Sequence, residues 1–153
     1  MSAKVWKRDM HQNNPPVINI FDALQQEKDT TGTGLLRAHL VDYGDYAVTT
    51  FEMSPNRPAA THYHTFGDFD FFVIIKGSGQ LHLAQVEDDK IVPGSEEIKP
   101  LKQGDFCAVS PYTLHGMEAL ENGMTVMGFA PKNHNGDYRS SEQNISTDYF
   151  EPK

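Results

Sequence analysis

Strand-like runs of roughly six residues recur at close spacing along the chain, with residues that turn the backbone between them. Leu35 to Val41, Tyr46 to Met53, Gln80 to Val86 and Glu97 to Lys102 are runs of this kind. Tyr43-Gly44-Asp45, Gly77-Ser78-Gly79, Glu87-Asp88-Asp89-Lys90 and Pro93-Gly94-Ser95 punctuate them. Helical periodicity is almost absent, although Asp22 to Lys28 can make one or two turns. A rhythm of short strands and tight turns predicts an all-β barrel or sandwich. The 153 residues suit one domain. It is expected over residues 17–131, after a polar leader (1–16) and before a polar tail (132–153) anchored only by Tyr138, Tyr149 and Phe150.

Side chains alternate across a strand, so parity assigns faces. Val17 to Phe21 reads as a first strand, with Pro15-Pro16 confined to its start. Leu36, Ala38 and Leu40 share one face of the next strand, which puts Arg37 and His39 on the other and predicts that His39 faces solvent. Ala47, Thr49, Phe51 and Met53 share a face expected to look into the barrel. Phe71 to Ile75 is apolar on both faces: Phe72 and Ile74 are expected inside, while Phe69, Phe71 and Val73 form an outer surface that predicts a homodimer contact. Pro100 places Glu97 to Lys102 at an edge. Glu121-Asn122-Gly123 predicts a hairpin between Leu114 to Leu120 and Met124 to Ala130. Cys107, the only cysteine, lies in the apolar run Phe106 to Val109; it reads as a small buried hydrophobe and leaves no intrachain disulfide.

Chemistry concentrates at Thr61-His62-Tyr63-His64. In an extended segment His62 and His64 project from the same face, so both can reach one metal ion. Asp68 and Asp70 follow just ahead of the Phe71 to Ile75 strand. Gly104-Asp105 then leads through Phe106 to Val109 and Ser110-Pro111-Tyr112 to His115, which shares parity with Met117. Imidazoles with a carboxylate are ligand types that a first-row divalent metal uses. His82 on the intervening strand is not needed for that set.

The order and spacing of these residues resemble the two signature motifs of the cupin superfamily, a Gly, His-x-His, Glu, Gly pattern followed by a Gly, Pro, Gly, His, Asn pattern. The resemblance spans Pro55 to Leu120. It implies a double-stranded β-helix jelly roll, often homodimeric, with His62, His64 and His115 on the three metal-binding histidines. Asp70 falls on the metal-binding glutamate, keeping the spacing to Gly77, while Asp68 satisfies the shorter count from His64 and is the alternative. Asn56 stands where the first motif has Gly, and Ser110, Tyr112 and Ala119 replace Pro, Gly and Asn of the second. None of these is a ligand in the pattern.

Three imidazoles and one carboxylate leave two positions open on a six-coordinate ion. Iron would suit dioxygen chemistry, whereas manganese, nickel or zinc could act as a Lewis acid. The expected function is therefore a metal-dependent enzyme acting on a small polar organic molecule, with dioxygenase chemistry ahead of isomerase or lyase chemistry. A non-catalytic metal- or ligand-binding role is the alternative. Phe51, Met53, Phe72, Ile74 and Met117 are expected to line the pocket, and Tyr112 is the nearby group able to exchange a proton. A net charge of −8 argues against nucleic acid as a partner. With no apolar run of membrane length and no hydrophobic signal region, a cytoplasmic protein without membrane contact is expected.

Overall fold

The computed structural model describes residues 8–9, 17–29, 34–55, 57, 61–65 and 67–132. Its elements are β1 (Arg8–Asp9), α1 (Ile20–Gln25), β2 (Leu35–Tyr43), β3 (Tyr46–Met53), β4 (Asp70–Glu87), β5 (Lys90–Ile91), β6 (Glu97–Lys102), β7 (Phe106–Val109) and β8 (Thr113–Pro131). The hydrogen-bonded order is β1-β2-β3-β8-β4-β5, with β6 and β7 both pairing with β4. All the pairings are antiparallel except that of β1 with β2. The all-β architecture expected from the strand rhythm is therefore the observed one.

The long strands β4 and β8 lie side by side and turn a corner together. Along its first part β4 pairs with β7 through Asp70↔Val109 to Val73↔Phe106, and further on it pairs with β6 through Ser78↔Lys102 to Leu83↔Glu97. Both parts stay paired with β8. Ile74 and Leu81 are of opposite parity, yet both are buried in one core with Leu35, Phe51, Met53, Leu101, Met117 and Val126. Register shifts between Ile74 and Lys76 and between Gly77 and Gly79 restore the inward direction after the corner. Through them the sheet folds over on itself and closes around its apolar face.

This corner corrects two expectations. Gly77-Ser78-Gly79 does not turn the chain back, and Glu121-Asn122-Gly123 is not a hairpin, because β4 and β8 each run straight through these stretches. Each strand finds its partner in the other, and the glycines serve the crossing. A Cβ on Gly77 (φ 82°) would lie 2.1 Å from the carbonyl oxygen of Gly123, itself at φ 72°. Left-handed backbone and the close approach of a second main chain both require glycine there.

The N-terminal region also departs from expectation. Asn19 accepts hydrogen bonds from the Phe21 and Asp22 amides at 3.0 and 3.1 Å and so caps α1, where a strand from Val17 to Phe21 was expected. The helix buries Ala23 and Leu24 against Ala38, Leu40 and Val41 on the outside of the sheet. Arg8 and Asp9, inside the stretch expected as a leader, pair with Val41 and Asp42. His39 is one-fifth exposed (21%), with Nε2 2.9 Å from the Asp42 carboxylate, where a solvent-facing side chain was expected. The Arg37 guanidinium lies 5.8 Å from the Phe51 ring centroid. At the other end of the sheet the Lys132 amide donates to the Asp45 carbonyl at 2.7 Å, and the expected packing of the tail from 133 to 153 lies outside the described residues.

On the outer face Phe71 stacks on Phe106 at 5.8 Å and meets Phe69 at 6.3 Å, with Phe69 and Phe106 exposed. Among the described residues no helix is long and apolar enough to cross a membrane.

Gly77→Ala is expected to lower unfolding stability by about 3–4 kcal/mol, from left-handed strain plus the main-chain clash. Gly44→Ala, also at positive φ but with nothing within 4 Å of the added Cβ, is expected to lose only about 1–2 kcal/mol. Urea midpoints at constant slope measure the difference; equal losses would show that the strand crossing is not tight.

Candidate metal centre

Backbone pairing brings the distant histidine to the His-x-His segment. The His62 amide donates to the His115 carbonyl at 3.0 Å, the His115 amide returns a bond to the His62 carbonyl at 2.8 Å, and the Tyr112 amide donates to the His64 carbonyl at 2.8 Å. Alternation then turns His62 and His64 inward and Tyr63 outward. Tyr63 is buried among Ala84, Val86 and Leu114, and its hydroxyl donates to the Asp89 carboxylate. That anchor opposes rotation of the segment about its own axis.

The three imidazoles converge. Ring centroids are 4.9 Å apart for His62 and His64, 4.4 Å for His62 and His115, and 5.5 Å for His64 and His115. One nitrogen from each lies within 4.8 Å of the others, and all three residues are buried. Asp70, at the start of β4 and paired with Val109, completes the group: its Oδ2 lies 3.3 Å from His64 Nε2 and 3.6 Å from His115 Nε2. His115 Nδ1 lies 2.8 Å from the Thr113 carbonyl oxygen. A carbonyl only accepts, so Nδ1 carries a proton, and in the neutral imidazole Nε2 is the nitrogen left with a lone pair for a metal.

Three imidazoles and a carboxylate, aimed at one point and shielded from water, are a donor set that fits a divalent first-row ion. A buried carboxylate needs a compensating cation or hydrogen-bond donors, which a bound ion would supply. Of the two acids weighed from the sequence, Asp70 is the one within the cluster. Asp68 is exposed.

Beside the histidines lies a narrow cavity of about 30 Å³, lined by Phe51, Met53, His62, Phe72, His115, Gly116, Met117 and Val126. Four of the five residues expected at the pocket line it. Ile74 instead packs into the core with 1% exposure. Gly116 and Val126 were missed, because parity gives a face but not which residues of two strands lie opposite each other. The lining is apolar apart from the two histidines, which differs from the polar ligand expected.

Tyr112 does not line this cavity. Its backbone is left-handed (φ 59°), its side chain is half exposed, and its ring lies 6.4 Å from that of Tyr63 on the far side of the strand. The turn that delivers its amide to His64 points its ring elsewhere. His82 stands apart from the cluster, with Nε2 2.9 Å from Glu118 Oε1. Cys107 packs against the core, and burial, helped by the nearby Asp105 charge, pushes its thiol up to about 11.

No protein-family model matches the chain, and no curated protein does. Solved structures do. A double-stranded β-helix protein from Klebsiella pneumoniae is 20% identical over 78% of this chain and 93% of its own, with a TM-score of 0.60. KdgF from a Halomonas species is 19% identical over 69% and 87%, with a TM-score of 0.53. An HppE solved with iron(II) and substrate is 12% identical over 62% and 53%, with a TM-score of 0.50. At these identities the likeness is one of fold.

His62→Ala, His64→Ala, His115→Ala and Asp70→Ala are each expected to lose at least tenfold in affinity for a divalent ion, and Asp68→Ala to lose less than twofold. Metal analysis of folded variants after dialysis measures this. Loss in Asp68→Ala with retention in Asp70→Ala would move the acid ligand to Asp68.

Cys107 should resist a thiol reagent at pH 8 in the native state and react fully once unfolded, because a thiol at about 11 is almost wholly protonated there. Timed absorbance with an aromatic disulfide reads the two rates. Fast native labelling would identify a reactive thiolate.

Proposed function

Starting from the double-stranded β-helix fold of the cupins, which this chain shares, we propose that the protein holds one divalent first-row metal ion on His62, His64, His115 and Asp70. We propose further that it is a metal-dependent enzyme whose small-molecule substrate enters the cavity beside His62 and His115. The observation that carries this reading is the convergence of Asp70 Oδ2 with the Nε2 atoms of His64 and His115, in a buried site that opens onto a cavity. A structural ion is closed by protein ligands, whereas four ligands leave room on a six-coordinate ion.

Manganese or iron is preferred, and nickel and zinc accept the same donors. A bound ferrous ion would supply dioxygen activation. The residues of the chain would do the rest: the Thr113 carbonyl holds His115 in one tautomer, Asp70 offsets the cationic charge, and the apolar walls exclude water. Isomerase or lyase chemistry calls for a positioned acid or base, and no lining side chain other than the two histidines can exchange a proton. That favours the dioxygenase reading, and the HppE crystallised with iron(II) and substrate supports iron as the ion in this fold. The same lack of acid–base groups favours, as a second reading, a non-catalytic protein that binds a small ligand on its metal. The ladder of Phe69, Phe71 and Phe106, exposed at Phe69 and Phe106, supports a homodimer, and a cytoplasmic setting is consistent with a single cysteine, which can form no intrachain disulfide.

Iron(II)-loaded protein is expected to take up one nitric oxide per chain and show the high-spin paramagnetic signal of a non-haem iron nitrosyl. Silence in fully loaded, folded protein would mean that the ion is closed off, leaving the binding reading in place of the enzyme.

A further inference from the structure

The cavity meets the candidate centre on the side of His62 and His115, while Asp70 lies against His64 and His115. Every other side chain in its wall is hydrocarbon or thioether: Phe51, Met53, Phe72, Met117 and Val126. Such a wall offers a ligand nothing to hydrogen-bond, so each hydroxyl pushed into it forfeits its water and weakens binding by roughly tenfold or more. Each methylene pushed into it tightens binding by about fourfold. At about 30 Å³ the space is far below whole ligand sites, which typically run ~300–1,000 Å³, so only the short apolar end of an occupant can enter it.

Two walls of the slot lie close to bare backbone. Gly128 on β8 lies between Thr49 of β3 and Phe72 of β4. Its φ is not left-handed, so backbone conformation does not demand glycine. Space is tight: a Cβ there would stand 3.1 Å from the Phe51 ring and 3.3 Å from the Phe72 ring. Both rings line the cavity, so a side chain at 128 has to shift two of its walls.

Resting on the metal-site reading above, we infer that the ligand is a small molecule with an oxygen-bearing, metal-binding head and a short unhydroxylated hydrocarbon body, and that Gly128 determines the length accepted although it does not itself line the cavity. Polyhydroxylated acids are excluded by the same wall.

The matched test uses cobalt(II)-loaded protein, whose visible spectrum reports ligands entering the coordination sphere, titrated with pyruvate, 2-oxobutyrate, 2-oxopentanoate, 2-oxohexanoate and 3-hydroxypyruvate. Affinity should rise about fourfold per carbon until the slot is full. 2-Oxobutyrate should bind at least tenfold tighter than 3-hydroxypyruvate, which has the same head and length with a hydroxyl in place of the terminal methyl. Equal binding of that pair, or no dependence on chain length, overturns the inference. Gly128→Ala should weaken the longest accepted acid about tenfold and leave pyruvate unchanged, and Met117→Ala should extend the accepted length by at least one carbon. If Gly128→Ala does not fold, the Met117→Ala profile decides, and a profile identical to that of the unmodified protein overturns the assignment of the slot. On metal-free protein, toluene should shift the methyl resonances of Met53 and Met117. A toluene shift without any cobalt spectrum would remove the metal reading and leave the slot standing, whereas cobalt binding without a toluene shift would do the opposite.

Discussion

The reciprocal amide–carbonyl pair between His62 and His115 is the contact on which the centre depends. It joins a segment ahead of β4 to the first part of β8, far apart in the chain, and sets their register to a single residue. A slip of one residue on either side would turn an imidazole out of the cluster, because strand side chains alternate. Tyr63 holds the other face: its ring is buried under the hairpin of β4 and β5, and its hydroxyl reaches Asp89 at the tip. The charged turn Glu87 to Lys90, which reads as a solvated loop, therefore helps to hold the histidine segment in place.

The second constraint is the shared corner of β4 and β8. Asp70 begins β4 and His115 lies near the start of β8, so the centre sits where these two strands enter the barrel. The bulges farther along keep both strands apolar side inward after they bend. Without them Leu81 and Met117 would face solvent and the wall of the cavity would be lost. Gly77 and Gly79 let the two backbones pass at a distance that no Cβ allows. Fold and site thus share one set of strands, and the rigidity of the corner is available to the ligands.

The solved structures that share this fold include KdgF and HppE, and a fold by itself does not decide the chemistry. The content of the cavity bears on it more directly. Apart from two imidazoles the wall is apolar, and the tyrosine that the sequence offered as a proton carrier faces away. Under the proposed function, a site of this composition would place the reactive chemistry on the ion and its ligand, and the protein would contribute orientation, charge balance and exclusion of water.

Much of the fold was legible in the chain alone. Alternation and turn residues predict an all-β barrel because both are local effects: a strand has period two, and glycine or proline stops it where it stands. The histidines and the acid were legible for the same reason, since His62 and His64 must share a face in any extended segment. Locality also explains the errors. Asn122-Gly123 has hairpin chemistry, but long-range pairing of β4 with β8 overrode it; Val17 to Phe21 has strand composition, but the Asn19 cap and the burial of Ala23 and Leu24 made a helix. Parity could not choose between Asp68 and Asp70, which share it; the register of β4 on β7 did, placing Asp70 opposite Val109 and into the cluster. Nor could parity find Gly128, whose significance lies in two rings from other strands resting on it. Which faces exist is decided residue by residue along the chain, whereas which faces meet is decided only when distant strands pair.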